Sequence, residues 1–193
     1  MSIVSKRQLN AIEEALDQVT QLSRHYALWW YLRKKSNVAL YRNVLMRYPE
    51  VFVTIADSLL ESYCVGIYRL FDKRGDVISL IRLLEGLKKQ NPAVARQLQK
   101  KIDTALDSLE KVRLLRHKIF GHRDRLLSPQ DVFARVKLKP EEMQSLVDLA
   151  KEIVCALAMT EAKADSKKML EHHETAVECD AHNLMQMLKK HTQ

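Results

Sequence analysis

Residues 116 to 124 read Arg-His-Lys-Ile-Phe-Gly-His-Arg-Asp, and the types in this stretch suit chemistry on an anionic substrate. The imidazoles of His117 and His122 titrate near neutral pH and can take or give a proton, while the Arg116 guanidinium offers a planar fork to phosphate oxygens. Together these groups suit phosphodiester cleavage. RNA carries its own nucleophile in the 2′-hydroxyl, so a protein need only deprotonate it, protonate the leaving oxygen and stabilise the charge that grows on phosphorus. That chemistry requires no metal and no other cofactor.

Spacing sets a condition on the site. On one straight helix, six residues amount to about 600° of rotation and roughly 9 Å of rise, which leaves Arg116 and His122 about 120° apart. Either Gly121 bends the chain so that His122 turns back, or the groups converge with their copies from a second protomer. The plainer alternative is a capped helix end, where Lys, Arg and His complement the helix dipole and Gly121 is a terminating glycine. The basic surplus is concentrated on this stretch: Lys111, Arg113, Arg116, Lys118, Arg123 and Arg125 stand against Asp124 alone between residues 111 and 125, which places +5 of the net +8 in fifteen residues and leaves both readings open.

The elements that must position this stretch are helical. Only four glycines and four prolines punctuate 193 residues, too little turn material for many short strands, and the 47% apolar and 29% charged content is that of a globular chain. Leu9, Ile12, Leu16, Val19, Leu22, Tyr26 and Trp29 recur at three and four and predict a long first helix over about 5–35, followed by a break at Ser36-Asn37, a short helix and a stop near Pro49. Two adjacent stripes, Val51, Ile55, Leu59, Tyr63 and Ile67 beside Phe52, Ala56, Leu60, Cys64 and Phe71, predict a broad-faced helix central to a bundle and ending near Asp72. Asn91-Pro92 supplies an N-cap and a first helical residue after a shorter helix. The period from Val94 to Ile119 then predicts one helix up to Gly121. The stretch 121–140 reads as loop, and a further helix follows Pro140. After about residue 165 a narrow stripe of Met169, Leu170, Val177, Leu184 and Leu188 predicts a peripheral helix or arm. The expected division is a helical domain over 1–163 and an arm over 164–193.

Arg116, a polar residue at 117 and His122 resemble the R-polar-x4-H signature of the HEPN superfamily (higher eukaryotes and prokaryotes nucleotide-binding). More narrowly, "YRLFDKRGDVISLIRLLEGL" followed by "VRLLRHKIFGHRDR" resembles the AbiU2-like branch of HEPN proteins, in order as well as in residues. The resemblance covers about residues 50–160. It implies an all-α, up-down helical bundle with long helices and a C-terminal arm, often dimeric and often a metal-independent ribonuclease of a defence or toxin-antitoxin system. Arg116 and His122 match the catalytic positions and His117 the polar one. On this reading His122 transfers protons, Arg116 stabilises phosphate and His117 orients or contacts RNA. Arg113, Lys118, Arg123 and Arg125 are expected to bind RNA electrostatically, with Asp72 and Asp124 as ion-pair partners that set their positions.

Expected partners are RNA, a second copy of the chain, and an antitoxin or other protein. A non-catalytic helical module that holds nucleic acid or protein is the alternative. A second cluster, His172, His173, Glu178, Cys179 and His182, has a spacing that can fall along one helix edge; a solvated or interhelical face is its ordinary reading, and no metal is assigned there. Cys64, Cys155 and Cys179 are odd in number and widely spaced, as reduced structural cysteines are. Apolar runs fall short of the roughly 18–20 residues of a membrane span, and a charged N-terminal pattern replaces a secretory h-region, so the expected location is the cytosol.

Overall fold

The computed structural model describes residues 6–74, 77–121, 129–159 and 166–192. Among these it contains ten α-helices, one π-helical turn and no strand. They are α1 (Lys6–Arg33), α2 (Lys35–Leu40), α3 (Arg42–Arg47), α4 (Pro49–Leu70), α5 (Leu80–Gln90), α6 (Pro92–Thr104), α7 (Leu106–Leu115), the π turn (Arg116–Gly121), α8 (Pro129–Val136), α9 (Pro140–Met159) and α10 (Ser166–Lys190).

The helix at the centre is α1. Its apolar stripe of Ile12, Ala15, Leu16, Val19, Leu22 and Tyr26 is buried, and α4, α9 and α10 all pack along it. A Cβ at Gly66 would lie 3.3 Å from the Leu22 side chain, so glycine is what allows α4 to approach α1 this closely. The expectation that α4 is the central helix does not hold, since only its C-terminal half is enclosed. Tyr63, Cys64, Ile67 and Leu70 are buried, whereas Val51 and Ile55 are exposed because α9 and α10 dock on α1 rather than on the N-terminal half of α4. Among the described residues α4 alone has the length and composition of a membrane span, with a mean hydropathy of 1.3. Its C-terminal half serves instead as one wall of the core.

Hydroxyl groups on this core are matched to helix ends. Tyr63 donates to the Met143 carbonyl at 2.9 Å, and Tyr26 donates to the Pro140 carbonyl at 3.1 Å. Burial pushes the Tyr26 phenol up to about 12 and the Cys64 thiol likewise to about 12, so both stay protonated at neutral pH. All three cysteines are free, Cys64 and Cys155 within the core and Cys179 exposed.

Several boundaries differ from the sequence reading. The break after α1 falls at Lys34, in extended conformation, and Ser36-Asn37 lie inside α2. Asn37 donates from its side chain to the Tyr31 carbonyl at 2.9 Å, which satisfies an orphan acceptor at the end of α1. The predicted helix over 94–121 is divided at Ala105, whose N–H is shared between the Lys101 and Ile102 carbonyls and whose φ of −87° and ψ of 0° leave the helical region. Asn91 caps α6 as expected, accepting from the Val94 N–H at 3.3 Å with Pro92 opening the helix. Within the presumed loop lies α8, which buries Val132 and Val136, a pair at i and i+4 behind an initiating proline. The terminal helix α10 packs on α1, α3 and α9 through Leu170, Ala181 and Met185, while Met169 and Leu184 of the predicted stripe are exposed.

Candidate functional site

The basic stretch is delivered by α7, which is pinned at two points. Val112 and Leu115 are buried in the core, and the Lys111 ammonium donates to Glu142 Oε1 at 2.6 Å. Glu142 also accepts from the Lys139 backbone N–H through Oε2 at 2.8 Å, so one carboxylate caps the start of α9 and ties α7 to it. The hydrogen bond from Lys111 is the main reason that the Glu142 carboxyl sits below its ordinary range. Lys111 therefore counts toward the local surplus of charge but serves the scaffold.

At Arg116 the α-helical register gives way to the π turn. The wider i→i+5 turn changes the phase in which successive side chains emerge, and such insertions are frequent at functional sites. The bend sought at Gly121 concerns the direction of His122, which lies outside the described residues; what is observed is a change of register that begins at Arg116. Arg116 is half-buried, with its guanidinium carbon 4.5 Å from the centre of the Tyr68 ring. The same ring meets His117 edge-on, centroids 5.5 Å apart and planes at 86°. Arg116 Nη1 lies 3.4 Å from His117 Nδ1, a long hydrogen bond in which the guanidinium donates and the imidazole nitrogen accepts. That tautomer leaves the Nε2 position of a neutral His117 as the donor. Tyr68, on the last turn of α4, is the bed on which both motif residues rest.

The neighbouring charges are ordered. Arg113 donates to Glu110 through Nε at 2.7 Å and Nη2 at 2.6 Å, one turn apart on α7. This pairing holds the Glu110 carboxyl below its ordinary range, with His117 adding a smaller electrostatic contribution. Burial alone would raise the Asp72 carboxyl, but the backbone N–H and side chain of Arg74, at 2.9 Å and 2.8 Å, together with the Lys73 N–H, hold it down as a carboxylate. Lys118 is exposed on the π turn. His122, Arg123, Asp124 and Arg125 lie outside the described residues.

Arg116 and His117 are therefore brought together, and the partner that organises them, Tyr68, was not singled out from sequence. Its signal was present in the "YRLFD" string: an aromatic one position off the buried stripe, at the end of a helix, near the basic stretch. The C-terminal cluster is not brought together. His173 Nδ1 lies 2.7 Å from Arg24 Nη2, and His182 Nδ1 lies 3.2 Å from the Tyr31 hydroxyl and 3.1 Å from that of Tyr41. Among the described residues no three His, Cys, Asp or Glu side chains are grouped to hold a metal ion.

No curated protein and no solved structure matches the chain. The family model for AbiU2 HEPN domains matches residues 7–178, which include α1 to α9 except the first residue of α1, the π turn, Tyr68 and the first half of α10. With the helical architecture and the Arg116-His117 pair seated at the end of α7, that match places the chain in the AbiU2 family of HEPN domain proteins.

Proposed function

We propose that this protein binds RNA and cleaves it without a metal ion, with His122 transferring the proton, Arg116 stabilising the charge on phosphorus and His117 orienting the guanidinium or contacting the RNA. The observation that carries this reading is the placement of Arg116: its guanidinium is laid 4.5 Å over Tyr68 and against His117 in a π turn of an AbiU2-family chain. A cation held in place before substrate arrives stabilises developing negative charge without reorganising at the moment of reaction. Lys118 and Arg113, joined by Arg123 and Arg125, supply the salt-dependent attraction for the phosphate backbone. The setting that fits such an activity is defence by abortive infection or a toxin-antitoxin pair. The same reading takes the protein as a homodimer, supported by the exposed apolar side chains of Val51, Ile55 and Val65 on one side of α4.

The test is cleavage of single-stranded RNA by the purified protein in excess chelator, beside Arg116→Ala and His122→Ala. Each variant is expected to lose at least about a hundredfold in rate, the scale of a lost acid-base or charge-stabilising group. Equal activity in all three proteins would sink the assignment. Salt-sensitive binding without cleavage would reduce the site to one that holds RNA.

A further inference from the structure

A second concentration of charge lies far from the motif. Between Asp17 and Glu50 the chain has no acidic residue, while Arg24, Arg33, Lys34, Lys35, Arg42 and Arg47 fall within that interval. All but Arg24 stand at the end of α1 and along α2 and α3, exposed, and among the described residues none of these is tied to a carboxylate. Lys111 and Arg113 near the motif, by contrast, are held by Glu142 and Glu110. The same segment exposes the apolar side chains of Val38, Leu40, Met46 and Tyr48, with Met46 open to 70%. Its inner side is anchored, since Tyr41 and Val44 are buried with Met185 of α10 in a small cluster apart from the main core. The Tyr41 N–H donates to the Asn37 carbonyl at 2.9 Å and the Tyr41 carbonyl accepts from the Leu45 N–H at 3.0 Å, so helical hydrogen bonding runs through the junction of α2 and α3. On that register Lys35, Val38, Ala39, Arg42 and Met46, at i, i+3, i+4, i+7 and i+11, share the face opposite Tyr41 and Val44, and all five are exposed. Lys189 of α10 stands 6.0 Å from the Tyr41 ring centre and borders the same small cavity as Arg42, which adds a further cation at this end.

We infer that α2 and α3 form a membrane-docking surface, which lays Val38, Ala39 and Met46 into the headgroup region of an anionic bilayer while Lys35, Arg42 and their neighbours meet lipid phosphates. The Arg116 site is roughly 28 Å away, the length of α4 from Pro49 to Tyr68 at about 1.5 Å per residue, so this surface is separate from the motif. A helix lying on a bilayer binds through its apolar area together with attraction to anionic lipid, and needs no spanning length. Each cation near such a surface strengthens binding roughly fivefold, and the long stems of Lys and Arg let their charges stay at the headgroups while apolar neighbours go deeper. The absence of acidic residues from the segment removes the groups that lipid phosphates would repel. The apolar groups on the outward stripe are aliphatic or thioether, which suits acyl chains. An unpaired base stacks on aromatic faces, and the stripe carries none.

The experiment is flotation of the full chain with vesicles of phosphatidylglycerol and phosphatidylethanolamine, beside vesicles of phosphatidylcholine alone. Wild type is expected to partition at least about tenfold more strongly onto the anionic vesicles, with the preference falling as salt rises. Lys35→Gln with Arg42→Gln should weaken that partitioning by about twentyfold, the product of two such cations. Val38→Gln with Met46→Gln leaves the charge intact and should weaken it severalfold through lost apolar area. Lys88→Gln with Lys89→Gln removes the same charge from the exposed end of α5 and should partition as wild type does. All six positions are exposed, and unchanged melting establishes that the variants are folded. Equal partitioning onto the two kinds of vesicle, or equal losses in the α2–α3 and α5 charge variants, overturns the surface. Partitioning that Val38→Gln with Met46→Gln leaves untouched overturns it too, since charge attraction alone would then hold the protein. Single-stranded RNA is titrated in parallel: RNA affinity lost in Lys35→Gln with Arg42→Gln while vesicle partitioning is unchanged would assign the stripe to nucleic acid instead. A shift in sedimentation of the same variant without vesicle binding by wild type would assign it to a second copy of the chain, and either result overturns the proposal.

Discussion

The two faces that α4 presents are stabilised in different ways. Toward α1 and α9 it offers Tyr63, Cys64, Ile67 and Leu70, all buried, among partners such as Leu146, Ile153 and Val154 that are equally enclosed. Toward the π turn it offers Tyr68, half-buried, and the contacts there are one stacked guanidinium, one edge-on imidazole and a rim of surface ion pairs. The first face is redundant, since each side chain has many neighbours and close packing shares the burden. The second depends on a few geometrically specific contacts. A substitution on the first should therefore cost folding, and one on the second should cost organisation of the site while the bundle survives.

The largest expected effect comes from the core. Leu146→Ala removes a fully buried side chain from the α9 face and should lower unfolding free energy by about 2–5 kcal/mol, read from chemical denaturation. A loss below about 1 kcal/mol would mean that α9 is not seated against α1 and α4 as described. Tyr68→Leu should separate the two faces most clearly. It keeps bulk but removes the aromatic face, so stability should fall by only about 1 kcal/mol, while RNA cleavage falls by about tenfold or more as Arg116 loses its bed. Rescue by Tyr68→Phe, which restores the ring without the hydroxyl, is expected; failure of that rescue would assign the effect to the hydroxyl. A melting loss as large as that of Leu146→Ala would make Tyr68 a core residue and remove the contrast.

Acid gives the smallest and most distributed effect. Asp72, Glu110 and Glu142 are held below their ordinary values of 3.8 and 4.5, Glu110 and Glu142 chiefly by hydrogen bonds from Arg113 and Lys111, Asp72 by bonds from Arg74 that outweigh its burial. A depressed carboxyl contributes stability that is complete above its unfolded pKa and is lost as pH falls through the native one. The stability these carboxyls contribute, followed by thermal melting across pH, should therefore decline below about pH 4.5, and Glu142→Gln should reduce that decline more than Glu110→Gln, since Glu142 joins two helices and Glu110 only one turn of its own. A curve in Glu142→Gln identical to wild type would show that the link between α7 and α9 contributes nothing measurable.

Much of the bundle could be read from local pattern because its signals are local. The apolar period of α1, the cap at Asn91 with Pro92 and the acidic first turn of α9 act within a few residues, and each is found where the sequence indicated. The failures occurred where neighbours decide. A single period runs through Ala105, and nothing in it announces that its N–H divides between two carbonyls. Val51 and Ile55 belong to an apolar stripe, yet burial depends on whether another helix arrives, and α9 and α10 pack elsewhere. Tyr68 and Arg116 stand 48 positions apart, beyond the reach of any periodicity.

The sequence by itself determined the all-helical class, because propensity, capping and amphipathic period are properties of consecutive residues, and it determined the concentration of charge around Arg116, because composition needs no coordinates. Only the tertiary structure decided that α1 rather than α4 lies at the centre, that the helix carrying the motif widens into a π turn at Arg116, and that a tyrosine from α4 supports its guanidinium. Those features depend on which helices meet, and that is set by the packing of the whole bundle rather than by any segment of it.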